Sequence, residues 1–205
     1  MGFYQDQVIP RLQNRIMDRK PMNEARARLC SSLHGNVVEV GFGTGLNVRY
    51  YPPEVTCIMA IEPSSVCLRI AEPRIAKSTA PVELAGLTGE HLDLATDEFD
   101  AVLSTWTLCT IPSIGVALEE MRRVLKPGGS LYFLEHGHAP DPKVARLQGR
   151  IEPLNKRLAG GCHLTRHIPQ LIQDAGFAIE HLDSYYFKGE AKVFGYTFEG
   201  RAVRA

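Results

Sequence analysis

His136, directly after Glu135 in YFLEH, and Cys109, in STWTLCTI, are the side chains placed to move a proton or attack a reactive carbon. An imidazole at the carboxyl end of a strand can act as a general base or orient an acceptor, but it can equally be a histidine bonded to nearby backbone. A cysteine just past a strand can be a nucleophile, or simply a small buried hydrophobe. Cys162 and His163, in GGCHLTR, follow a turn made by Gly160 and Gly161; Thr165 is placed to cap the helix after it. The five cysteines are scattered with no CxxC pair, and the histidines and cysteines lack paired ligand spacing. Neither a metal site nor a disulfide framework is therefore expected, and a reducing cytoplasm fits.

A second group binds rather than reacts. Residues 37–47 read VVEVGFGTGLN, an apolar run leading into Gly41, Gly43 and Gly45. Such a loop lets backbone approach a nucleotide closely. Gly41 and Gly43 fit the dinucleotide pattern G-x-G-x-x-G, but its third slot is Leu46. Glu39 puts a carboxylate beside the turn, where a pyrophosphate would be repelled and an ammonium welcomed. Glu62, 19 positions after Gly43, ends an apolar run, and its carboxylate can accept from two ribose hydroxyls.

The elements that must position these residues alternate along the chain. Strands are expected at Asn36–Val40, Val55–Ile61, Val82–Ala85, Ala101–Ser104 and Leu131–Glu135; most are aliphatic without alternation, as in a parallel sheet buried on both faces. The clearest helix is Ile114–Leu125, whose apolar stripe runs through Ala117, Leu118, Met121 and Val124 before Lys126-Pro127-Gly128-Gly129 stops it. Residues 3–33 read as helix broken at Pro21, with Val8, Ile9, Leu12 and Ile16 on one side and Arg11, Arg15 and Arg19 elsewhere. This basic amphipathic segment is expected to form a lid over the ligand; weak contact with a membrane surface is the other reading. After a helix near Ile168–Ala175, Phe177–Phe187 and Val193–Phe198 read as a half-buried hairpin. A dinucleotide fold would need a second mononucleotide half instead of this hairpin.

In their order and spacing, VVEVGFGTG, the acid in AIEPS, EFDAVLSTWTLCTI and RRVLKPGGSLYFLEH resemble the class I S-adenosylmethionine (SAM)-dependent methyltransferases, from about Asn36 to Tyr196. The resemblance implies an α/β Rossmann-like fold with seven strands ordered 3-2-1-4-5-7-6, mostly parallel, with an antiparallel C-terminal hairpin and an N-terminal helical lid. The stretches YYPPEVTCI, TLCTI, FLEH and GGCHLTR are similar to the vertebrate methyltransferase-like proteins that methylate small alkyl thiols, and to their bacterial relatives. Some of those relatives are labelled phospholipid methyltransferases. The vertebrate members carry a hydrophobic N-terminal anchor where this chain has a charged helix.

Carried over by position, Glu39, Gly41, Gly43 and Gly45 line the methionine and ribose side of SAM, and Glu62 takes the ribose hydroxyls. Thr88 occupies the slot where many relatives place an adenine-binding aspartate, helped by backbone of Gly89 and Glu90. Ser104 and Thr105 lie beneath the sulfonium, with Cys109 close to the methyl; the loop of Cys162 and His163 approaches the acceptor or merely stabilises its own turn. The whole chain, 1–205, reads as one domain: lid 1–34, cofactor-binding core 35–138, and acceptor-side loop, helix and hairpin 139–205.

The 23 basic and 23 acidic side chains cancel, so no global field recruits nucleic acid. STWT also stands where amino-group methylases of adenine or glutamine carry NPPY. A small-molecule acceptor is expected, with a thiol slightly favoured because a reference pKa of about 8.5 needs only modest activation. Alternatives are a phospholipid or quinone methyltransferase at a membrane surface, and a non-catalytic SAM-fold partner subunit. A nicotinamide oxidoreductase is disfavoured by Leu46 and the hairpin.

Overall fold

The apolar runs of the sequence assemble side by side into a seven-stranded sheet. The computed structural model describes residues 7–85 and 88–204, so the expected helix start at residues 3–6, and Leu87, lie outside the described residues. Two helices, α1 (Ile9–Met17) and α2 (Lys20–Cys30), precede β1 (Gly35–Val40), β2 (Val55–Ile61), α3 (Ser65–Ile75), β3 (Val82–Ala85) and β4 (Phe99–Thr105). Then follow α4 (Ile114–Val124), β5 (Leu125–His136), α5 (Pro142–Leu158), α6 (Ile168–Asp174), β6 (Phe177–Tyr186), α7 (Lys192–Gly195) and β7 (Tyr196–Arg204).

The strand order is β3-β2-β1-β4-β5-β7-β6. β1 pairs in parallel with β2 and β4, and β4 with β5, whereas β7 runs antiparallel to β5 and β6. Successive strand side chains point to opposite faces, and both faces are covered. Val38, Val40, Val102, Leu131 and Phe133 pack with Leu118 and Met121 of α4 and Ile168 and Ile172 of α6. Val37, Ala101, Leu103, Tyr132 and Leu134 pack on the other face with Met22, Ala25 and Leu29 of α2. The chain reverses direction of winding between β1 and β4, so the crevice at their carboxyl ends is where this fold class binds ligands.

Four local expectations are corrected. The break between the first two helices falls at Asp18 and Arg19, and Pro21 sits in the first turn of α2, where its missing N–H costs nothing. β5 begins at Leu125, paired with Phe99, so Lys126-Pro127-Gly128-Gly129 lies inside the strand at a register shift instead of ahead of it. The second hairpin strand begins at Tyr196, because Lys192–Gly195 form a short helix that leaves Phe194 41% exposed. Helix α5 was not expected; Asp141 caps it by accepting from the Lys143 amide, and Pro142 takes the first turn.

The N-terminal helices are anchored to the crevice by polar contacts. Asn14 Oδ1 of α1 accepts from the Thr44 hydroxyl (2.8 Å), and Asp18, just past its end, pairs with Arg49 (2.9 Å). Arg26 of α2 is 3% exposed; it donates to Met17 O (2.7 Å) and stacks 4.6 Å over the Trp106 ring. Beneath lies Glu39, 1% exposed, which accepts from Asn47 Nδ2 (2.7 Å) and from the Tyr51 hydroxyl.

Burial pushes the Glu39 carboxyl up to about 7, with Tyr51, Asn47 and Arg26 opposing. Folded protein therefore holds this proton more tightly than unfolded chain, so the group's contribution is fully present below the ordinary value of 4.5 and is lost as pH rises to about 7. Glu39→Gln should remove that loss. Its stability relative to wild type should rise by on the order of 3 kcal/mol across the window, at about 1.4 kcal/mol per pH unit. Urea unfolding at several pH values checks this, and parallel curves for the two proteins would refute it.

Candidate active site

The glycine loop starts where β1 ends. Gly41 and Gly43 adopt φ +77° and +55°, which a side chain would strain, and a Cβ on Gly41 would overlap the Thr107 side chain. The loop therefore bends tightly against the end of β4. Glu62, 8% exposed at the end of β2, accepts from the Gly43 amide (2.9 Å) and the Ser64 amide (2.7 Å). Burial raises its pKa against those two amides. It is no surface cap, since Ser64 caps α3 by accepting from the Cys67 amide. A carboxylate has about four acceptor sites, so two remain for hydroxyls.

Ser104 and Thr105 face different ways. Ser104 is buried and donates to Glu135 Oε1 (2.9 Å); Thr105 Oγ1 accepts from Asn47 Nδ2 (3.0 Å). Trp106 follows with φ +51°, a conformation rare for an aromatic residue and a mark of strain at a functional crevice. Beyond the third strand, Thr88 bridges to His91 and stays exposed. Gly89 packs so closely on Val40 and Ile111 that a Cβ would lie 2.8 Å from Val40, and Glu90 accepts from the Ser113 amide (2.7 Å).

The chain's fit to SAM rests on unmatched polar atoms. Among the described residues, five buried side-chain polar atoms lack a hydrogen-bond partner; Asn47 Oδ1, Trp106 Nε1 and Arg26 Nε gather at the crevice, and Asn23 Oδ1 and the Tyr186 hydroxyl are the other two. Such atoms are costly unless a ligand completes them. One acceptor and two donors at the β1–β4 crevice match a zwitterionic amino-acid end, and Glu62 matches a ribose. The sequence reading missed Asn47, Arg26 and Trp106. Asn47 was visible at the end of VVEVGFGTGLN, but Arg26 arrives from a distant helix.

Glu135 organises the loop after β4. It is fully buried, and besides Ser104 it accepts from the amides of Thr107 (2.9 Å), Leu108 (3.0 Å) and Cys109 (3.2 Å). Burial raises its pKa and these four donors oppose the rise. A lone acid within an apolar strand was the signal for it. Arg166 donates to Leu108 O and to Pro112 O (3.4 Å), clamping the same loop.

His136 ends β5 half-buried, its ring centroid 6.2 Å from that of Trp106. Cys109 and Cys162, 1% and 9% exposed, have their sulfurs hydrogen-bonded at 3.6 Å. That bond and burial push the Cys109 thiol up, while Cys162 is pulled down to about 5, first by Cys109 and then by His136 and Asn155. The loop is fixed by backbone: the His163 amide donates to Cys109 O (2.8 Å) and Asn155 donates to Cys162 O (2.8 Å). His163 itself pairs with Glu152 (3.3 Å). Thr165 is not a helix cap as expected; it donates to Glu152, and α6 starts only at Ile168. His138 stacks on His167 at 4.2 Å, apart from this group. Chain spacing gave no ligand set, yet folding brings ligand atoms of Cys109, His136 and Cys162 within 4.8 Å of one another.

Comparison with known proteins agrees with this geometry. Residues 38–133 match a family described as "Methyltransferase domain". The chain is 35% identical over 153 residues to "Thiol S-methyltransferase TMT1B" of Rattus norvegicus, which covers 72% of this chain and 62% of that protein. It is 30% identical over 127 residues to "Phosphatidylethanolamine N-methyltransferase" of Cereibacter sphaeroides, covering 61% of this chain and 59% of that one. The chain thus spans about three-fifths of the length of these relatives. Among solved structures, an S-adenosylmethionine dependent methyltransferase from Mesorhizobium loti superposes with TM-score 0.67 at 17% identity, over 92% of this chain and all (100%) of that one, which bears on fold alone. Motif order, sheet order, the glycine crevice and these matches converge: the chain belongs to the class I SAM-dependent methyltransferases.

Proposed function

We propose that this protein transfers the methyl group of SAM to the sulfur of a small apolar thiol. The observation that carries the reading is the 35% identity to a thiol S-methyltransferase over 72% of this chain. The chemistry of the crevice supports it, since an acceptor with a reference pKa of about 8.5 needs no strong base.

In this reading Glu62 holds the ribose hydroxyls, and Glu39 with the loop of Gly41, Gly43 and Gly45 shapes the methionine side. Asn47, Arg26 and Trp106 complete the amino-acid end. Thr88, Gly89 and Glu90 border the adenine, and Ser104 and Thr105 the sulfonium. When bound, SAM supplies a methyl already activated by its positive sulfur. The chain's own contribution is to align the acceptor in line with it, which proximity alone makes worth several kcal/mol, on the order of 7 or more in the best cases. The Trp106 ring and the closed lid keep water out. In the metal-free protein His136 orients the thiol and takes its proton, with Cys109 and Cys162 forming the wall beside it.

A second reading has one observation in its favour. Val8, Leu12 and Ile16 of the first helical stretch are 39%, 49% and 43% exposed, next to Arg11, Arg15 and Arg19, a face suited to an anionic lipid surface. No helix among the described residues is long and apolar enough to cross a membrane.

Incubation of the protein with SAM and a panel of alkyl thiols, ethanolamine phospholipids and quinols, measuring S-adenosylhomocysteine release, tests the acceptor. Thiol-dependent release is expected; silence with thiols while S-adenosylhomocysteine still binds would remove the thiol reading. Glu62→Ala should weaken S-adenosylhomocysteine binding about 10-fold or more by calorimetry, the usual worth of hydrogen bonds to a charged group. Co-sedimentation with anionic liposomes, lost on reversing the charges of Arg11, Arg15 and Arg19, is the outcome the lipid reading requires.

A further inference from the structure

We propose that Cys109, His136 and Cys162 form a zinc site whose fourth position is open to the acceptor sulfur. Three segments far apart in the chain deliver the ligands: the loop after β4, the last residue of β5, and the loop between α5 and α6. Their ligand atoms lie within 4.8 Å of one another, and the two sulfurs are 3.6 Å apart. In a tetrahedral site with Zn–S of about 2.3 Å, two thiolates lie about 3.8 Å apart. The observed pair therefore needs almost no movement to take the ion between them.

The set is chemically selective. Two thiolates and an imidazole are soft ligands that favour zinc over magnesium or calcium, and two sulfur charges neutralise a dication. Ile151, Ala159 and Leu164 pack around the sulfurs, so a neutral zinc–dithiolate unit suits the apolar setting. Both cysteine ligands are held from behind by their backbone. The Cys109 amide donates to Glu135, Cys109 O accepts from His163, and Cys162 O accepts from Asn155. Such outer contacts are what keep a metal site in shape before the ion arrives. Three protein ligands and one vacancy are the pattern of reactive zinc, whereas structural zinc has four. His136 is the half-exposed member, so the vacancy lies on its side, toward Trp106.

The identity of the fourth ligand rests on the thiol reading; the three protein ligands do not. On coordination the acceptor thiol loses its proton to water, and His136 then serves as ligand and no longer as base. The zinc-held thiolate forms its new bond to the methyl carbon as the methyl–sulfonium bond breaks. The electron pair of that bond stays on the sulfur of S-adenosylhomocysteine. The neutral thioether is a poor ligand and leaves the ion.

The test uses the full chain, stripped with chelator under reducing, thiol-free conditions and titrated first with zinc and then with cobalt(II). Near-stoichiometric zinc by elemental analysis and a thiolate-to-cobalt charge-transfer band are expected. Both should fall at least 10-fold in affinity in Cys162→Ser and His136→Gln, while Cys57→Ser and Cys67→Ser keep them. Circular dichroism establishes that the variants fold. No charge-transfer band in the wild type, or a band that survives loss of Cys162, overturns the site. Addition of an alkanethiol should shift the cobalt spectrum. A bound ion that ignores the thiol overturns the open position and leaves methyl transfer to be judged by S-adenosylhomocysteine release, which is measured separately on the metal-free protein.

Discussion

The Glu135 carboxylate is the contact on which both halves of the crevice depend. It has no exposure to water and four donors, three of them consecutive backbone amides after the end of β4. Its two oxygens satisfy three backbone amides from the end of an otherwise apolar strand. A buried charge in this position is costly in isolation and tolerable only because every donor around it would otherwise be orphaned. The loop it holds then touches everything else. Thr107 closes against Gly41, Leu108 O receives Arg166, and Cys109 O receives the His163 amide. The glycine loop, the Cys109–Cys162 pair and the segment leading into α6 are thus referenced to one carboxylate.

On the other side of the crevice the polar contacts are left incomplete. Asn47 spends both hydrogens of its amide on Glu39 and Thr105, and its oxygen has no partner among the described residues. Arg26 and Trp106 likewise stack on each other with an N–H unspent on each. Such gaps are costly, and three of them gathered at one crevice mark a place for a ligand. The contrast between a saturated Glu135 and an unsaturated Asn47 separates scaffold from binding surface within a single crevice. It also gives Glu39 a part distinct from direct contact with a ligand, since its two oxygens are taken by Asn47 and Tyr51 and it acts by aiming the Asn47 amide.

What the sequence reveals follows the range of the interactions. Val55–Ile61 and Val82–Ala85 are strands to the residue because a continuous aliphatic run between polar breaks has little else to become. The glycine loop and Glu62 were legible for a similar reason: they lie 19 positions apart and are joined by one strand crossover. Helix α5 was hidden by Pro142 and Pro153, since proline reads as a breaker although at the first turn it is an initiator. The β5 start was hidden by Gly128 and Gly129, which punctuate a strand irregularity as readily as a turn. Arg26, Asn155 and Glu152 carry no local signal at all, because their roles exist only once separate segments meet.

The same division of range explains why the cofactor can be named from the chain and the acceptor cannot. The glycine loop, Glu62 and Asn47 sit on β1, β2 and the loops they feed, with Trp106 after β4 and Arg26 from α2 completing that side. The group of Cys109, His136 and Cys162 instead comes together across the chain, and Cys162 is 53 positions from its sulfur partner Cys109. Its loop is positioned by Glu152, which accepts from Leu164 and from both the amide and hydroxyl of Thr165, and by Asn155 on the same helix. A change in how α5 seats would move Cys162 without disturbing Glu62 or the glycine loop. The Cys109–Cys162 pair and the glycine crevice are therefore held by different parts of the chain and meet only at the loop that Glu135 pins.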